Sequence, residues 1–301
     1  DKKKIINFLN FEEKKKNLMY VFQNKDLKKN LDEIISATNK IKVIKKKIEN
    51  INNEEGSINF GKKTVFYDLI ILSIGGRSKL YSTIEQGRSI EKDYEELALT
   101  ANIKHNAKIE GASQFFLREG PLAILPFQKK EFSTVWSVSN DFFCINENNI
   151  KKILSEKIIK LLKIKSIKNI TNIQSFPINL NLKTRYYKKN VLILGDGLHT
   201  VHPIAGQGFN LVLRDIKKLK ELMSKTLRLG LLIKESFILK DFYNSRKAEN
   251  NLFGLGINLT NIFFKNNKYF SPLRKGILNN IDKFKIIKKI SRSMSDRGIL
   301  F

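Results

Sequence analysis

The chain has 301 residues, enough to bury a sizeable core and ordinarily to form two domains. Its hydrophobic fraction of 42% excludes a disordered chain, and its one cysteine, Cys144, excludes an internal disulfide and suits a reducing compartment. The formal charge of +27 raises nucleic acid as a partner, yet lysine far outnumbers arginine and is spread among asparagines and isoleucines along the whole chain, a compositional bias rather than a phosphate-binding face, so no nucleic-acid partner is expected.

In chain order, the spacing of Leu27, Leu31, Ile34 and Ile35 predicts a helix from Asn24 to about Lys40 with one apolar face. Short strands are then expected at Ile41–Ile44, Ser57–Phe60 and Thr64–Phe66, with a turn at Gly61-Lys62, leading into a buried strand at Leu69–Leu72. From about residue 82 to 185, alternation such as Ala98-Leu99-Thr100-Ala101-Asn102-Ile103 and Phe132-Ser133-Thr134-Val135-Trp136-Ser137-Val138 predicts an antiparallel sheet with one covered face, interrupted by a helix from about Asn148 to Leu162. Cys144 reads as a small buried residue beside Phe142 and Phe143. Trp136, Phe115, Phe116 and Phe127 are candidates for an aromatic pocket as well as for plain core. Helices fill most of the chain after residue 208. Leu252 to Phe264, broken by Gly254, Asn258 and Asn261, is too short to span a bilayer and reads as a core helix, or as one lying in a membrane interface. The clusters Lys2-Lys3-Lys4, Lys14-Lys15-Lys16 and Lys45-Lys46-Lys47 read as solvated faces or turns. Attraction to anionic lipid is the alternative, at about 1 kcal/mol per basic residue near the surface.

The most informative stretch is Gly195-Asp196-Gly197-Leu198-His199-Thr200-Val201-His202-Pro203-Ile204-Ala205-Gly206-Gln207-Gly208-Phe209-Asn210. The apolar strand Val191–Leu194 delivers Asp196 to its C-terminal end, where a carboxylate can accept hydrogen bonds from sugar hydroxyls. Pro203 stiffens the turn. Gly206 and Gly208 let backbone amides approach an anion at the positive end of a helix beginning near Phe209. Gln207 and Asn210 add side-chain amides. His199 and His202 are three apart, but His105 is the only other histidine, so no metal site is expected. Nothing resembles G-x-S-x-G, which disfavours a hydrolase.

The whole string resembles the second flavin-binding motif of class A FAD-dependent monooxygenases, roughly G-D-A-A-H-x-x-x-P-x-x-G-Q-G-x-N. Its extension through Leu211-Val212-Leu213-Arg214-Asp215 resembles the ubiquinone-biosynthesis hydroxylases of that superfamily. Leu18-Met19-Tyr20-Val21-Phe22-Gln23-Asn24 with Leu27, Phe115 to Phe127 with Val135-Trp136, and Leu273-Arg274-Lys275-Gly276-Ile277-Leu278 resemble further family passages in the same order. The resemblance implies an α/β fold: an FAD-binding Rossmann-like domain of glutathione-reductase type, a mixed or antiparallel-sheet substrate domain, and C-terminal helices. It assigns residues 1–17 to the end of a first substrate-domain segment, 18–81 to part of the FAD-binding domain, 82–185 to the substrate sheet, and 186–301 to the return to the FAD-binding domain.

It further implies FAD as cofactor, NAD(P)H as co-substrate, and hydroxylation by O2 of an electron-rich ring carrying a polyprenyl tail. Cofactor contacts are expected from Gly195, Asp196, His199, Pro203, Gly206, Gln207, Gly208 and Asn210, and no catalytic side chain is named. Other ubiquinone-biosynthesis proteins are candidate partners, and the expected location is cytoplasmic, peripheral at the inner membrane. There are two departures. The family's opening G-x-G-x-x-G unit is not found, so about a hundred residues are expected ahead of Asp1 and the chain alone is expected to bind FAD weakly and to be inactive. In the family's A-D-G-x-x-S-x-x-R motif, Ile74 stands where the Asp would be, while Gly75 and Ser78 match. The alternatives are a hydroxylase of a small soluble aromatic acid and a non-enzymatic scaffold in a quinone-biosynthesis complex.

Overall fold

The computed structural model describes residues 20–76, 78–84, 89–109, 111–234 and 237–264. Expectations placed on residues 1–19 and 265–301, including two lysine clusters and Leu273–Leu278, lie outside the described residues. Helix α1 (Asn24–Ala37) forms where the apolar spacing predicts it, but none of its residues is buried, and Leu31 and Ile34 face solvent. The segment Ile41–Ile44 is not a strand. Its apolar side chains are exposed and no neighbouring strand pairs with it, so a short β-prone run stays irregular.

Strands β1 (Asn50–Asn52), β2 (Ser57–Phe60) and β3 (Lys63–Phe66) make an antiparallel meander with the expected turn at Gly61-Lys62. Strand β4 (Ile70–Leu72) buries Ile70 and Leu72, whereas Ile71 is 40% exposed, so the strand is covered on one face rather than buried throughout. A single 3-10 turn, Lys79–Thr83, follows, with the Ser78 hydroxyl accepting from the Leu80 amide.

The largest sheet among the described residues is built on β5 (Ser89–His105), β6 (Ser113–Phe116), β7 (Pro121–Gln128) and β8 (Glu131–Ser139). Two short helices, α2 (Asn140–Asn146) and α3 (Ile150–Leu162), lead to β9 (Ile167–Lys183), which pairs antiparallel with β5 along nearly its whole length. In the register Leu99↔Trp136, Ala101↔Thr134 and Ile103↔Phe132, with Leu122↔Trp136 and Ile124↔Thr134 beyond, the large side chains share one face. Against that face α3 lays Ile150, Leu154 and Ile158, closing a core that includes Phe132 and Trp136. Trp136 is therefore core, not pocket lining, and Phe115, paired with Leu122, lies on the same covered face. Cys144 is exposed, a correction. Helix α2 buries none of its residues and points Cys144 and Ile145 outward while Phe142 and Phe143 pack inward.

Strands β10 (Tyr187–Lys188) and β11 (Val191–Ile193) return the chain, and β11 pairs parallel with β4 in the register Val191↔Ile70, Leu192↔Ile71, Ile193↔Leu72. Strand β12 (His199–Thr200) then adds to the edge of the large sheet beside β9. Helices α4 (Gly208–Arg228) and α5 (Ile238–Phe264) pack on each other, and a second core unites β4, β11, Tyr81, Tyr186, Leu219 and Phe242. On α5, Phe253 and Ile257 are buried while Leu252, Leu255 and Leu259 are exposed, so Leu252–Phe264 is core along one face only. Gly254 sits where an added Cβ would lie 2.7 Å from the Leu182 methyls, which is how closely α5 approaches β9. Among the described residues no helix is long and apolar enough to cross a membrane.

Candidate cofactor site

Two turns converge at the C-terminal ends of the parallel pair. After β4 the chain bends through Gly75 (φ +81°), whose carbonyl accepts from the Tyr81 hydroxyl at 2.5 Å. After β11 it bends through Gly195 (φ +81°) into a 3-10 turn that leaves Asp196 exposed. Gly76 brings the turns together: a Cβ there would lie 3.4 Å from Thr200 Oγ1 and 3.5 Å from the Asp196 carbonyl, and Thr200 Oγ1 itself donates to that carbonyl at 3.0 Å. Among the described residues the Asp196 carboxylate makes no hydrogen bond. Ile74 lies exposed in the first of these turns, at the position where the family motif carries an aspartate. A crevice beyond adjacent parallel strand ends is where open α/β sheets bind ligands.

Beyond β12, Pro203 opens a 3-10 turn that ends at Gly206 in the left-handed region (φ +60°), and α4 begins two residues later. The first bond within α4 runs from the Leu211 amide to the Gln207 carbonyl, so the amides of Gly208, Phe209 and Asn210 have no acceptor inside the helix. They lie at the positive end of a 21-residue helix. A Cβ on Gly206 would meet nothing within 4 Å, and one on Gly208 only the Val201 Cγ2 at 3.8 Å, so both glycines border open space. The Asn210 amide donates to Gln207 Oε1 at 3.3 Å. Phe209 stands exposed and meets Phe22 edge to face at 5.7 Å, which brings the chain segment ahead of α1 to the rim of this turn.

The two histidines of the string face different carboxylates. His199 is buried, with Nε2 2.6 Å from Asp215 Oδ2, while its Nδ1 makes no hydrogen bond. Asp215 Oδ1 also accepts from Arg246 Nε at 2.6 Å and from Asn250 Nδ2 at 3.2 Å, and Arg246 reaches Glu249 and Asn250 on the next turn of α5. Burial pushes the Asp215 carboxyl up, but the facing His199 and Arg246 outweigh it and hold the group below the usual aspartate range. Burial, with Asp215 nearby, pushes the Tyr186 hydroxyl beside Asn250 well above its ordinary range. His202, fully buried, pairs with Glu96 of β5 through Nε2 at 3.0 Å and accepts the Ile204 amide on Nδ1 at 3.1 Å. No group of three or more potential metal ligands stands together among the described residues.

The sheet face opposite the Trp136 core carries smaller and more polar side chains: Ala98, Thr100, Asn102, Ala123, Ser133 and Val135, with Phe176 paired to Ala98. Val135 and Val201 pack against the small core of Tyr94, Ala98, Ile178, Leu180 and Leu182, so this face adjoins the turn. Phe116, paired with Pro121, projects on this second side.

Thus Gly195 and Asp196 lie in the turn after β11, Pro203, Gly206, Gln207, Gly208 and Asn210 lie in the turn and helix start after β12, and His199 turns inward onto Asp215. Sequence reasoning missed Glu96, Arg246, Glu249 and Asn250. The spacing Arg246, Glu249, Asn250 marks one helix face and was a usable signal. Nothing local pairs Glu96 with His202.

Comparison with known proteins shows what the chain is similar to in sequence and in fold. The family model described as squalene epoxidase matches residues 141–289. The mitochondrial ubiquinone biosynthesis monooxygenase COQ6 of Dictyostelium discoideum is 29% identical over 269 residues, covering 72% of this chain and 54% of that protein. The ubiquinone hydroxylase UbiL of Rhodospirillum rubrum is 28% identical, over 62% of this chain and 44% of its own length. The 3-demethoxyubiquinol 3-hydroxylase of Escherichia coli is 29% identical, over 54% and 41%. The chain spans about half the length of the curated relatives it matches. In fold it resembles p-nitrophenol 4-monooxygenase PnpA from Pseudomonas putida, at TM-score 0.69 and 14% identity over 90% of this chain and 70% of that one. It also resembles the probable FAD-dependent monooxygenase pqsL of Pseudomonas aeruginosa, at TM-score 0.65 and 16% identity over 83% and 72%. With turn, helix and sheet arranged as above, the chain has the fold of the FAD-dependent monooxygenases and is similar in sequence to the ubiquinone-biosynthesis hydroxylases.

Proposed function

We propose that the protein containing this chain hydroxylates the aromatic ring of a polyprenylated ubiquinone precursor, with FAD as cofactor and NAD(P)H and O2 as co-substrates. The observation that carries the reading is the Pro203–Asn210 turn: a left-handed glycine and a second glycine bordering open space, ahead of three helix amides with no acceptor in the helix. That donor set fits an anionic, planar group approaching the backbone closely. Asp196, exposed and without a partner among the described residues, is suited to accept from the ribityl hydroxyls. Gly195, Pro203, Gly206, Gln207, Gly208 and Asn210 would lie along the flavin. His199, held from behind by Asp215, would steady the turn rather than present its ring to the cofactor.

When bound, FAD would supply the redox chemistry, namely acceptance of a hydride from NAD(P)H and transfer of one oxygen atom of O2 to the ring. The protein's share is to place the ring and keep water away. The small side chains of Ala98, Thr100, Ala123 and Val135 share the sheet face that adjoins the turn, and that position supports a part in placing the ring. The excess of lysine and the exposed Leu252, Leu255 and Leu259 of α5 support contact with an anionic membrane, where a prenylated substrate resides. Other proteins of ubiquinone biosynthesis are the proposed partners.

The test is reconstitution of the full-length protein with FAD, followed by NAD(P)H oxidation with a short-chain prenylphenol and mass analysis of the product. A ring gaining one oxygen in step with NAD(P)H supports the reading. Oxidation driven equally by an unprenylated aromatic acid would favour a soluble substrate. Flavin binding without substrate-dependent oxidation would favour a scaffold, for which Ile74 is the relevant departure.

A further inference from the structure

Strand β5 is interrupted once near the cofactor turn. Its register with β9 jumps from Asp93↔Asn179 to Glu96↔Ile178, so Tyr94 and Glu95 bulge out, Glu95 taking φ +54°. The Asp93 carboxylate accepts the Glu95 amide at 2.9 Å and stabilises the bulge. Such a bulge re-aims side chains, and here it sends two toward one imidazole. The Tyr94 ring meets the His202 ring edge to face at 5.1 Å and 87°, and Glu96 Oε2 lies 3.0 Å from His202 Nε2. The Tyr94 hydroxyl then donates to Asn258 on α5 at 3.0 Å, tying the third element into the same cluster.

The far side of the ring decides its protonation. His202 Nδ1 accepts the Ile204 amide, so in neutral imidazole the proton sits on Nε2 and is donated to Glu96. One ring therefore links a carboxylate of the large sheet to the backbone of the Pro203–Gly206 turn. Resting on the function proposed above, we infer that Glu96 and His202, wedged by Tyr94, form a clasp that fixes the distance between the substrate-bearing sheet face and the flavin-binding turn. Both are positioning residues, and neither borders the open crevice: His202 is fully buried and Glu96 is 7% exposed.

The chemistry makes this distance consequential. Coupled turnover consumes NAD(P)H, a proton and O2 and returns NAD(P)+, water and a hydroxylated ring. When the ring is misplaced, the same reactants return NAD(P)+ and hydrogen peroxide. Loosening the clasp should thus divert electrons to peroxide without removing the flavin.

Three readouts test this on the full-length protein. The nitrogen-15 imidazole signals of His202 are assigned by their loss in His202→Gln, and His202 is expected to carry its proton on Nε2 with Nδ1 as acceptor. A proton on Nδ1 overturns the clasp. Amide exchange at Ile204 should quicken roughly tenfold in Glu96→Ala, which removes the acceptor, and stay within about threefold of wild type in Glu96→Gln, which keeps one. Wild-type exchange in Glu96→Ala overturns it. In the flavin-loaded enzyme, Glu96→Ala should raise the ratio of peroxide to hydroxylated product about tenfold with flavin affinity within twofold of wild type, and Glu96→Gln should restore most of the coupling. An unchanged ratio overturns the coupling role. A wild-type protein that takes up no flavin refutes the hydroxylase reading alone, and the clasp is then decided by the spectra and the exchange.

Discussion

Replacing Asp215 with alanine removes the hub of the buried network behind the turn. The carboxylate is fully buried and accepts from His199 at 2.6 Å, Arg246 at 2.6 Å and Asn250 at 3.2 Å. Around it, Asp215 and Glu249 balance Arg246 and Arg214, all with side chains no more than 13% exposed. Alanine leaves one positive charge in excess in this interior and strands the His199 Nε2, a loss of about 3–5 kcal/mol. At roughly 2 °C per kcal/mol for a chain of this size, the midpoint of thermal unfolding should fall by about 6–10 °C at pH 7. Asp215→Asn keeps an acceptor and should lose about 1.5–3 kcal/mol. The acid limb provides a second check. Because the folded carboxyl is held below its ordinary value, its stabilisation is complete above the unfolded aspartate range and is lost as pH falls through the lower folded value. The gap between wild type and Asp215→Asn should therefore narrow below about pH 4. A midpoint drop under about 2 °C for the alanine variant, or a gap that stays constant into acid, would refute the reasoning.

Gly208→Ala separates fold from ligand: the site has ordinary φ and only Val201 nearby, so stability should hold within about 0.5 kcal/mol while flavin affinity falls tenfold or more, measured by flavin fluorescence titration. Gly120→Ala should cost about 4 kcal/mol or more in urea unfolding, since φ is +136° and the new Cβ would sit 2.0 Å from the Ser137 carbonyl; a loss under about 1 kcal/mol would contradict the turn between β6 and β7. Gly254→Ala should destabilise by about 1–3 kcal/mol through contact with Leu182, and Leu182→Ala in the same chain should recover part of that loss rather than add to it. Ser139→Ala removes the hydroxyl that accepts the Phe142 amide at the start of α2, and should cost about 1 kcal/mol in the same assay.

The parts of the molecule legible in the sequence are those fixed by local pattern. The apolar run Val191–Ile193 had to be a buried strand, Gly208 had to sit near a helix start, and period-two alternation marked β5 and β8. Alternation tells which side chains share a face but not which face is covered, and so Trp136 stood for core with a pocket as the alternative until α3 was placed against it. The stretch Ile41–Ile44 has the composition of a strand but lacks a partner, and hydrogen bonding to a neighbour is what makes a strand. Cys144 was misread because its aromatic neighbours suggested burial, whereas helical geometry turns consecutive residues to different faces. In the candidate site, the spacing of the glycines and Asp196 is by itself compatible with an ordinary strand-to-helix turn, and it is the resemblance of the whole string to a flavin-binding motif that singles them out. Nothing of the kind marks Glu96: its partner lies 106 positions away, and only the bulge in β5 makes the meeting possible.

The parallel pairing of β4 with β11 also sets an order of assembly. The register Val191↔Ile70 closes a loop of roughly 120 residues whose entropic cost is smallest when the intervening chain is already compact. Much of that loop is the large sheet, whose β6–β7 and β7–β8 hairpins join near neighbours in sequence. On a ribosome, the hairpins and α3 can condense while β11 is still unsynthesised, but the Asp215 network behind the turn cannot close until Arg246 and Asn250 emerge about forty residues after it. The Pro203–Asn210 turn is thus among the last features of the described chain to be completed, and a nascent protein stalled before α5 would present a folded sheet with this turn unsupported from behind.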